Sequence, residues 1–210
     1  MKSKSGERTL LASVLMSLPG PLVVGAALFV GRSSTQLADF IRRTAELVTL
    51  VVSWLVFRIV QNLDGNNIKS KVKLEQIANT CVGATMCLSG PIILFVALTS
   101  SNTGKGNVIP GLTIAVLGVI ANSWFWLRYR KLNQENPNTI YAVQSKLYRA
   151  KAFVDICVAI ALATVAIAPG AKITQYIDLV GSIIVSIYLI SNGIITIRGA
   201  NSKEIGTKII

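Results

Sequence analysis

The chain has 210 residues, of which 52% are hydrophobic and only 14% charged, and its net charge is +12. A soluble domain usually carries about a quarter charged residues, so this composition excludes an ordinary water-soluble fold. A basic excess is typical of proteins that bind nucleic acid or a membrane surface. Here the charges lie between apolar runs rather than along one stripe, which favours the lipid bilayer as partner and excludes nucleic acid.

Six apolar segments follow one another, each close to the length of about 20 residues that spans a bilayer core. They cover residues 9–30, 34–60, 77–99, 108–127, 147–168 and 173–197. The runs are too long for strands and lack an alternation of period two. They predict an all-α polytopic membrane protein, a bundle of six transmembrane helices in a single domain over residues 1–210. The few residues after Arg198 predict no C-terminal cytoplasmic domain.

The distribution of Lys and Arg predicts the orientation of the bundle. Fifteen of these residues lie at the N-terminus, around the second and fourth connections and at the C-terminus. The alternate side holds only Arg32, Lys105 and Lys172. Cytoplasmic loops carry the excess of basic residues, so both termini are expected in the cytoplasm and the protein in the plasma membrane. The basic run before the first segment then belongs to a retained signal anchor.

The chain contains no histidine, and its three cysteines, Cys81, Cys87 and Cys157, lie within apolar stretches. No metal site or proton relay based on imidazole can therefore be built. The cysteines are interpreted as small apolar residues, since no CxxC spacing is present. With no nucleophile beside a base and no phosphate-binding loop, the sequence predicts that the protein is not an enzyme and needs no cofactor.

Further charged residues lie inside the apolar segments. The orientation of the bundle does not explain their presence there. These residues are Asp39, Arg42, Arg43, Glu46, Lys151, Asp155 and Asp178. A charge at membrane depth costs a few kcal/mol or more, so such side chains usually face the bundle interior and pair. Two of them are expected elsewhere. Arg43 is predicted to reach outward from another helix face, and Asp178 to lie near a helix end.

The spacing of the other charges predicts one facing register between the second and fifth segments. Arg42 and Glu46 are four residues apart, as are Lys151 and Asp155, so each pair shares a helix face. The two helices run antiparallel, and a pairing of Arg42 with Asp155 therefore sets Glu46 level with Lys151. Asp39, one turn from Arg42, is a further candidate for the cluster. These residues are the predicted transport site near mid-membrane.

Several short motifs, in the same order and spacing, resemble the cation diffusion facilitator family of bilayer exporters. They are Leu37-Ala38-Asp39 with Arg42 and Glu46, Lys73-Leu74-Glu75, Asn122, Lys151 with Asp155, and Tyr176-Ile177-Asp178 with Gly181-Ser182. The resemblance covers nearly the whole chain. It implies the six-helix fold, a homodimer and a small cation as substrate.

The family's metal site departs from its usual form in this chain. The resemblance implies four ligands from the second and fifth helices, but those positions read Arg42, Glu46, Lys151 and Asp155. A guanidinium or ammonium has no lone pair for a metal. Of these four residues, at most Glu46 and Asp155 can therefore be metal ligands. Two functions follow. In the first, the chain transports a cation, which is a divalent metal ion, is coupled to protons, or both. In the second, the chain is a non-transporting relative or scaffold in which buried ion pairs replace the metal.

Overall fold

The computed structural model describes residues 2–30, 34–63, 68–99, 109–167 and 172–207. These residues form α-helices and, within the described ranges, no strand, which confirms the predicted all-α class. The helices are α1 (Lys2–Ser17), α2 (Pro19–Val30), α3 (Ser34–Asn62), α4 (Ile68–Thr99), α5 (Ile109–Glu135), α6 (Thr139–Ile167) and α7 (Lys172–Thr207).

The first predicted helix, over residues 9–30, is divided into α1 and α2 at Leu18. A residue that precedes proline is disfavoured in the helical region, and Leu18 precedes Pro19. Pro19 then opens α2, where its missing N–H has no intrahelical partner to lose. The sequence contains this break, but hydropathy alone does not register it.

Most of the other helices are longer than their apolar segments. The helix predicted over 77–99 begins at Ile68, and the one predicted over 147–168 begins at Thr139. Two more, predicted to end at residues 127 and 197, end at Glu135 and Thr207. The added turns are rich in Lys, Arg, Glu and Gln, which are good helix formers in water. Hydropathy finds only the apolar part of each helix.

The bundle is apolar outside and partly polar inside. Large exposed hydrophobic side chains cover its outer surface, among them Leu117, Ile120 and Ile187. Several polar side chains, such as Ser53 and Gln144, are fully buried. Among the described residues, four helical segments have the length and apolar composition to cross a membrane: Phe40–Asn62, Lys69–Thr99, Leu112–Glu135 and Leu179–Ala200.

The closest helix pair among the described residues is α4 with α7. A Cβ atom on Gly83 would lie 2.9 Å from the carbonyl oxygen of Gly193, and one on Gly193 would lie 2.7 Å from that of Gly83. A Cβ on Gly90 would lie 2.9 Å from the Ser186 carbonyl oxygen. Small residues allow such close approach in membrane helices.

An aromatic cluster occupies the bundle where α1, α5 and α6 meet. The Tyr148 ring lies 4.9 Å from that of Phe125 and 5.5 Å from that of Tyr129, measured between ring centres. The Tyr129 hydroxyl donates a hydrogen bond of 3.0 Å to Ser13. Aromatic pairs of this geometry add about 0.5–1.5 kcal/mol beyond their buried area. The cluster therefore packs α1 and α5 against the face of α6 that carries Tyr148.

A charge cluster at the centre of the bundle

Two polar stripes face each other across the centre, one on α3 and one on α6. On α3 the stripe is Arg42, Glu46, Thr49 and Ser53. On α6 it is Gln144, Tyr148, Lys151 and Asp155. Steps of three and four residues keep side chains on one helix face. Each stripe therefore points in one direction over about three turns.

Contacts between described side chains join the stripes. The Lys151 ammonium lies 2.8 Å from a Glu46 carboxylate oxygen. Gln144 donates a hydrogen bond of 2.9 Å to the Ser53 hydroxyl. In each pair the two residue numbers add to 197. A constant sum is what an antiparallel register requires, and it is the register predicted from the charges. The predicted pairing of Glu46 with Lys151 is thus confirmed, and Ser53–Gln144 supports the same register independently.

Long side chains, rather than close backbones, make this junction. Among the described residues, α3 packs closely against α1, α2 and α4, and α6 against α4, α5 and α7. The α3 and α6 backbones therefore stand apart, and the ion pair spans the gap. The side chains of Lys151 and Glu46 are only 15% and 17% exposed, so the pair is largely buried within the bundle.

Asp155 is held by α5. The Asn122 amide donates a hydrogen bond of 2.6 Å to one carboxylate oxygen of Asp155. One turn earlier, a Cβ on Gly118 would lie only 2.6 Å from the same oxygen. Gly118 and Asn122 thus form a niche: the glycine admits the carboxylate and the amide binds it. The predicted partner of Asp155 is Arg42, and that pairing stays a prediction.

The arginines of α3 lie close by. The positive charge of Arg42 acts on both Glu46 and Asp155. Arg43 lies against α2, with its guanidinium nitrogen 3.3 Å from the position of a Cβ on Gly20. It lines the central cavity rather than pointing away from it, so the prediction that it reaches outward is wrong. The Asp39 and Asp178 side chains lie outside the described residues.

The charged part of each stripe borders a cavity of about 880 Å³. All five described charged residues of the set line it: Arg42, Arg43, Glu46, Lys151 and Asp155. Helices α1 to α7 all contribute to its wall, which is otherwise mostly apolar. Tyr148 lies beneath Lys151, with the ammonium 5.3 Å from its ring centre. The cluster is therefore accessible from an open volume instead of being sealed in a packed core.

A metal site needs several donor side chains close together. Among the described residues, no three His, Cys, Asp or Glu side chains lie close enough together to hold a metal ion. Glu46 is paired with an ammonium, and Asp155 with an amide. A zinc site takes three or four nitrogen, sulfur or oxygen ligands. The described side chains do not supply that set.

Two residues of the cluster were not predicted as site residues. Asn122 entered the sequence analysis only as part of the family resemblance, and Gln144 did not enter it. A signal for Gln144 existed, because it continues the spacing of Lys151 and Asp155 back along α6. Asn122 has no charged residue three or four positions away in α5, so only the packing of α5 against α6 reveals its role.

The family comparison agrees with this arrangement. The family described as the cation efflux transmembrane domain matches residues 10–201. The chain belongs to the cation efflux family. A comparison with curated proteins finds no match. Membership confirms the resemblance to cation diffusion facilitators, and together with the apolar helices it makes the chain a multi-pass membrane protein of a cation transporter family.

Proposed function

We propose that this protein moves a small cation across the plasma membrane through the central cavity, at a site formed by Arg42, Glu46, Lys151 and Asp155. In this proposal α1 and α2 count as one crossing, which makes six crossings with both termini in the cytoplasm. Asp39 belongs to the proposed site by sequence, and the family resemblance suggests a homodimer. The functional unit is a carboxylate-lined passage between the second and fifth crossings.

One observation supports transport above all: the charge cluster lines a cavity of about 880 Å³. A device that only fixed helix register would gain most from a dry, packed environment. Buried ion pairs add little stability, because desolvation offsets their attraction. Charged residues at membrane depth that face a cavity usually mark a substrate or proton pathway.

The Glu46–Lys151 pair suggests how a proton is coupled to movement. While both groups are charged, the ammonium occupies the place of a cargo cation at Glu46. Protonation of Glu46 removes its attraction, and Lys151 then loses its counter-charge. Asp155 lies one turn along the same helix face and is the nearest alternative partner. Lysine deprotonates readily when its counter-charge is lost in a poorly solvated site, so Lys151 is the proton-coupling cation of this proposal.

A specific observation favours the second candidate function, a non-transporting relative or scaffold. Lys151 and Glu46 lie 2.8 Å apart, which is a closed ion pair. If Lys151 permanently replaces the divalent ion, the bundle is locked in one arrangement. The two functions differ in whether removal of the pair changes flux.

The test is flux in proteoliposomes that contain the purified protein. Zinc and manganese are followed with metal-sensitive dyes and protons with a pH dye, under an imposed pH gradient. Glu46→Gln and Lys151→Met are compared with the wild type. Matched controls are Glu75→Gln, which alters a carboxylate bonded to Thr139, and Lys146→Met at an exposed position of the same helix.

We expect cation and proton flux in the wild type and in both controls. Glu46→Gln and Lys151→Met are expected to fold, to elute as one species from a size-exclusion column, and to lose flux. Equal flux in Lys151→Met and the wild type would contradict the proton-coupling role. Absence of any flux in the wild type favours the scaffold.

A further inference from the structure

The break between α1 and α2 removes two helix hydrogen bonds. Residues 18–21 read Leu-Pro-Gly-Pro. Each residue of a helix donates its N–H to the carbonyl four residues earlier, but proline has no N–H. Pro19 therefore leaves the Leu15 carbonyl without a donor from the helix, and Pro21 does the same to the Ser17 carbonyl. Membrane helices tolerate such a break where a neighbouring helix or side chain supplies the missing hydrogen bond.

The guanidinium of Arg43 lies at this break. Its Nη1 nitrogen is 3.3 Å from the position of a Cβ on Gly20, and its Cδ carbon is 3.5 Å from the same position. A Cβ in a helix is tilted toward the N-terminus, so this position faces the preceding turn, which contains Ser17. Arg43 and Ser17 both line the central cavity. A group with five N–H donors is thus beside the turn in which a carbonyl has lost its helix donor.

Glycine at position 20 admits the guanidinium. Any other side chain would begin with a Cβ 3.3 Å from Nη1, tighter than an ordinary contact, and Arg43 would have to move aside. Arginine at membrane depth usually pairs with a carboxylate or with backbone carbonyls that face the bundle interior. The Arg43 side chain, which starts from α3, therefore bridges α3 and the α1–α2 break.

Helix α2 depends on such a bridge for its position. Among the described residues it packs closely against α3 and against the end of α1, and against no other helix. Gly20 and Val23 of α2 line the cavity, and Val23 is 67% exposed. Farther along α2, a Cβ on Gly25 would lie 2.9 Å from the Phe40 ring of α3. The contacts with α3 therefore set where this wall of the cavity stands.

From this geometry we propose that Arg43 is a positioning residue, which donates a hydrogen bond to the Ser17 carbonyl and thereby holds α2 against α3 as a wall of the central cavity. The positive charge of Arg43 also acts on Glu46, so the same side chain connects the wall with the central ion pair. The consequence for flux rests on the proposed transport function. The hydrogen bond itself does not.

Returning the missing donor tests the hydrogen bond. Arg43→Met is expected to lower the melting temperature of the full chain in detergent, because the Ser17 carbonyl loses its donor. Pro21→Ala gives that carbonyl an N–H from the helix, so the double variant should recover most of the loss. Pro91→Ala is the matched control, since it returns an N–H to the Cys87 carbonyl inside α4. Equal recovery by the two proline substitutions would overturn the proposal.

A spectroscopic measurement on the wild type needs no variant to fold. Ser17 and Leu18 form the only Ser–Leu step of the sequence, so serine labelled with ¹³C at the carbonyl and leucine labelled with ¹⁵N select the Ser17 carbonyl in solid-state NMR. With arginine also labelled with ¹⁵N, dipolar coupling should place a guanidinium nitrogen within about 4 Å of that carbon, as a hydrogen bond requires. The coupling should vanish in Arg43→Met. Its absence from the wild type contradicts the proposed bond.

Flux in proteoliposomes separates this inference from the proposed function. Arg43→Met is expected to reduce cation flux by about tenfold or more, since small displacements around a site have effects of this size, and Pro21→Ala to restore it. Flux that depends on Glu46 but not on Arg43 overturns the positioning role and leaves the transport proposal standing. The dipolar contact and the recovery of stability, without flux in the wild type, support the hydrogen bond and overturn the transport proposal.

Discussion

At the α4–α7 contact and at the α5–α6 contact, glycines allow close approach, but they meet different atoms. A Cβ on Gly193 would collide with backbone atoms of α4, at 2.7 Å from the Gly83 oxygen and 2.9 Å from the Cys87 nitrogen. A Cβ on Gly118 would instead collide with the Asp155 carboxylate. The first contact joins two backbones, and the second makes room for a charge.

The difference teaches how this bundle combines stability with chemistry. Dispersion and close packing, rather than the hydrophobic effect, hold helices together in lipid, so the α4–α7 contact supplies cohesion. The centre contains polar groups that such packing would exclude. The cavity lies beside the α3–α6 junction, which is made by side-chain contacts rather than by closely packed backbones. Four predictions test whether the α4–α7 contact supplies stability and the central charges supply function.

The largest effect is expected at the central ion pair. Removing one partner of a buried pair costs about 3–5 kcal/mol, since it leaves the other charge uncompensated. Glu46 and Lys151 line the cavity rather than a packed core, so Glu46→Gln is expected near the lower end. The double variant Glu46→Gln with Lys151→Met should recover most of the stability but none of the flux. Thermal unfolding followed by fluorescence, together with liposome flux, measures both. Recovery of flux in the double variant would show that the pair is only structural.

The next effect is expected at Asn122. Hydrogen bonds to charged groups contribute about 1.5–3 kcal/mol, and Asn122→Leu removes the one donated to Asp155. If the whole of this energy stabilises the rate-limiting step of transport, the transport rate falls by about tenfold to a hundredfold. The pH profile of flux should also shift, because the surroundings of the Asp155 carboxylate change when its hydrogen-bond donor is removed. Asn192→Leu, which removes an amide bonded to the Tyr188 carbonyl outside the cavity, is the control. An unshifted profile would argue against a positioning role.

At the α4–α7 contact, Gly193→Ala is expected to destabilise the protein by about 1–3 kcal/mol, the usual cost of overpacking. The clash is with backbone atoms, which cannot rotate away. Gly181→Ala on the same helix meets no atom within 4 Å and should be neutral, or stabilising by up to about 1 kcal/mol. Thermal unfolding of the two variants in one detergent makes the comparison. Similar melting temperatures would mean that the helices separate there at little cost.

The smallest effect is expected between α3 and α4. Thr85 donates to the Cys81 carbonyl, so at 2.6 Å the Thr49 hydroxyl donates to Thr85. Polar contacts between membrane helices average about 0.6 kcal/mol, and Thr49→Val should cost about that much without changing flux. The same unfolding and flux measurements apply. A large loss of flux would extend the functional centre beyond the cavity-lining residues.

Much of the architecture could be predicted from the order of apolar and charged residues. The apolar segments predicted the all-α class, because helices are the means by which a chain satisfies its backbone in lipid. The spacing of Arg42, Glu46, Lys151 and Asp155 predicted the α3–α6 register, because a shift of even one residue would place like charges opposite or leave charges unpaired. The family resemblance rested on the same residues.

Other features depended on distances that sequence patterns do not encode. The niche formed by Gly118 and Asn122, the cavity and the backbone contact at Gly193 each depend on how closely two particular helices approach. A glycine marks close approach only once the opposite helix is in place, and a cavity is the volume that all the helices together leave unfilled. The sequence alone therefore determined which residues face the interior and in what register. The tertiary structure decided which interior faces touch and which remain open, because helix separation is set by packing over the whole bundle.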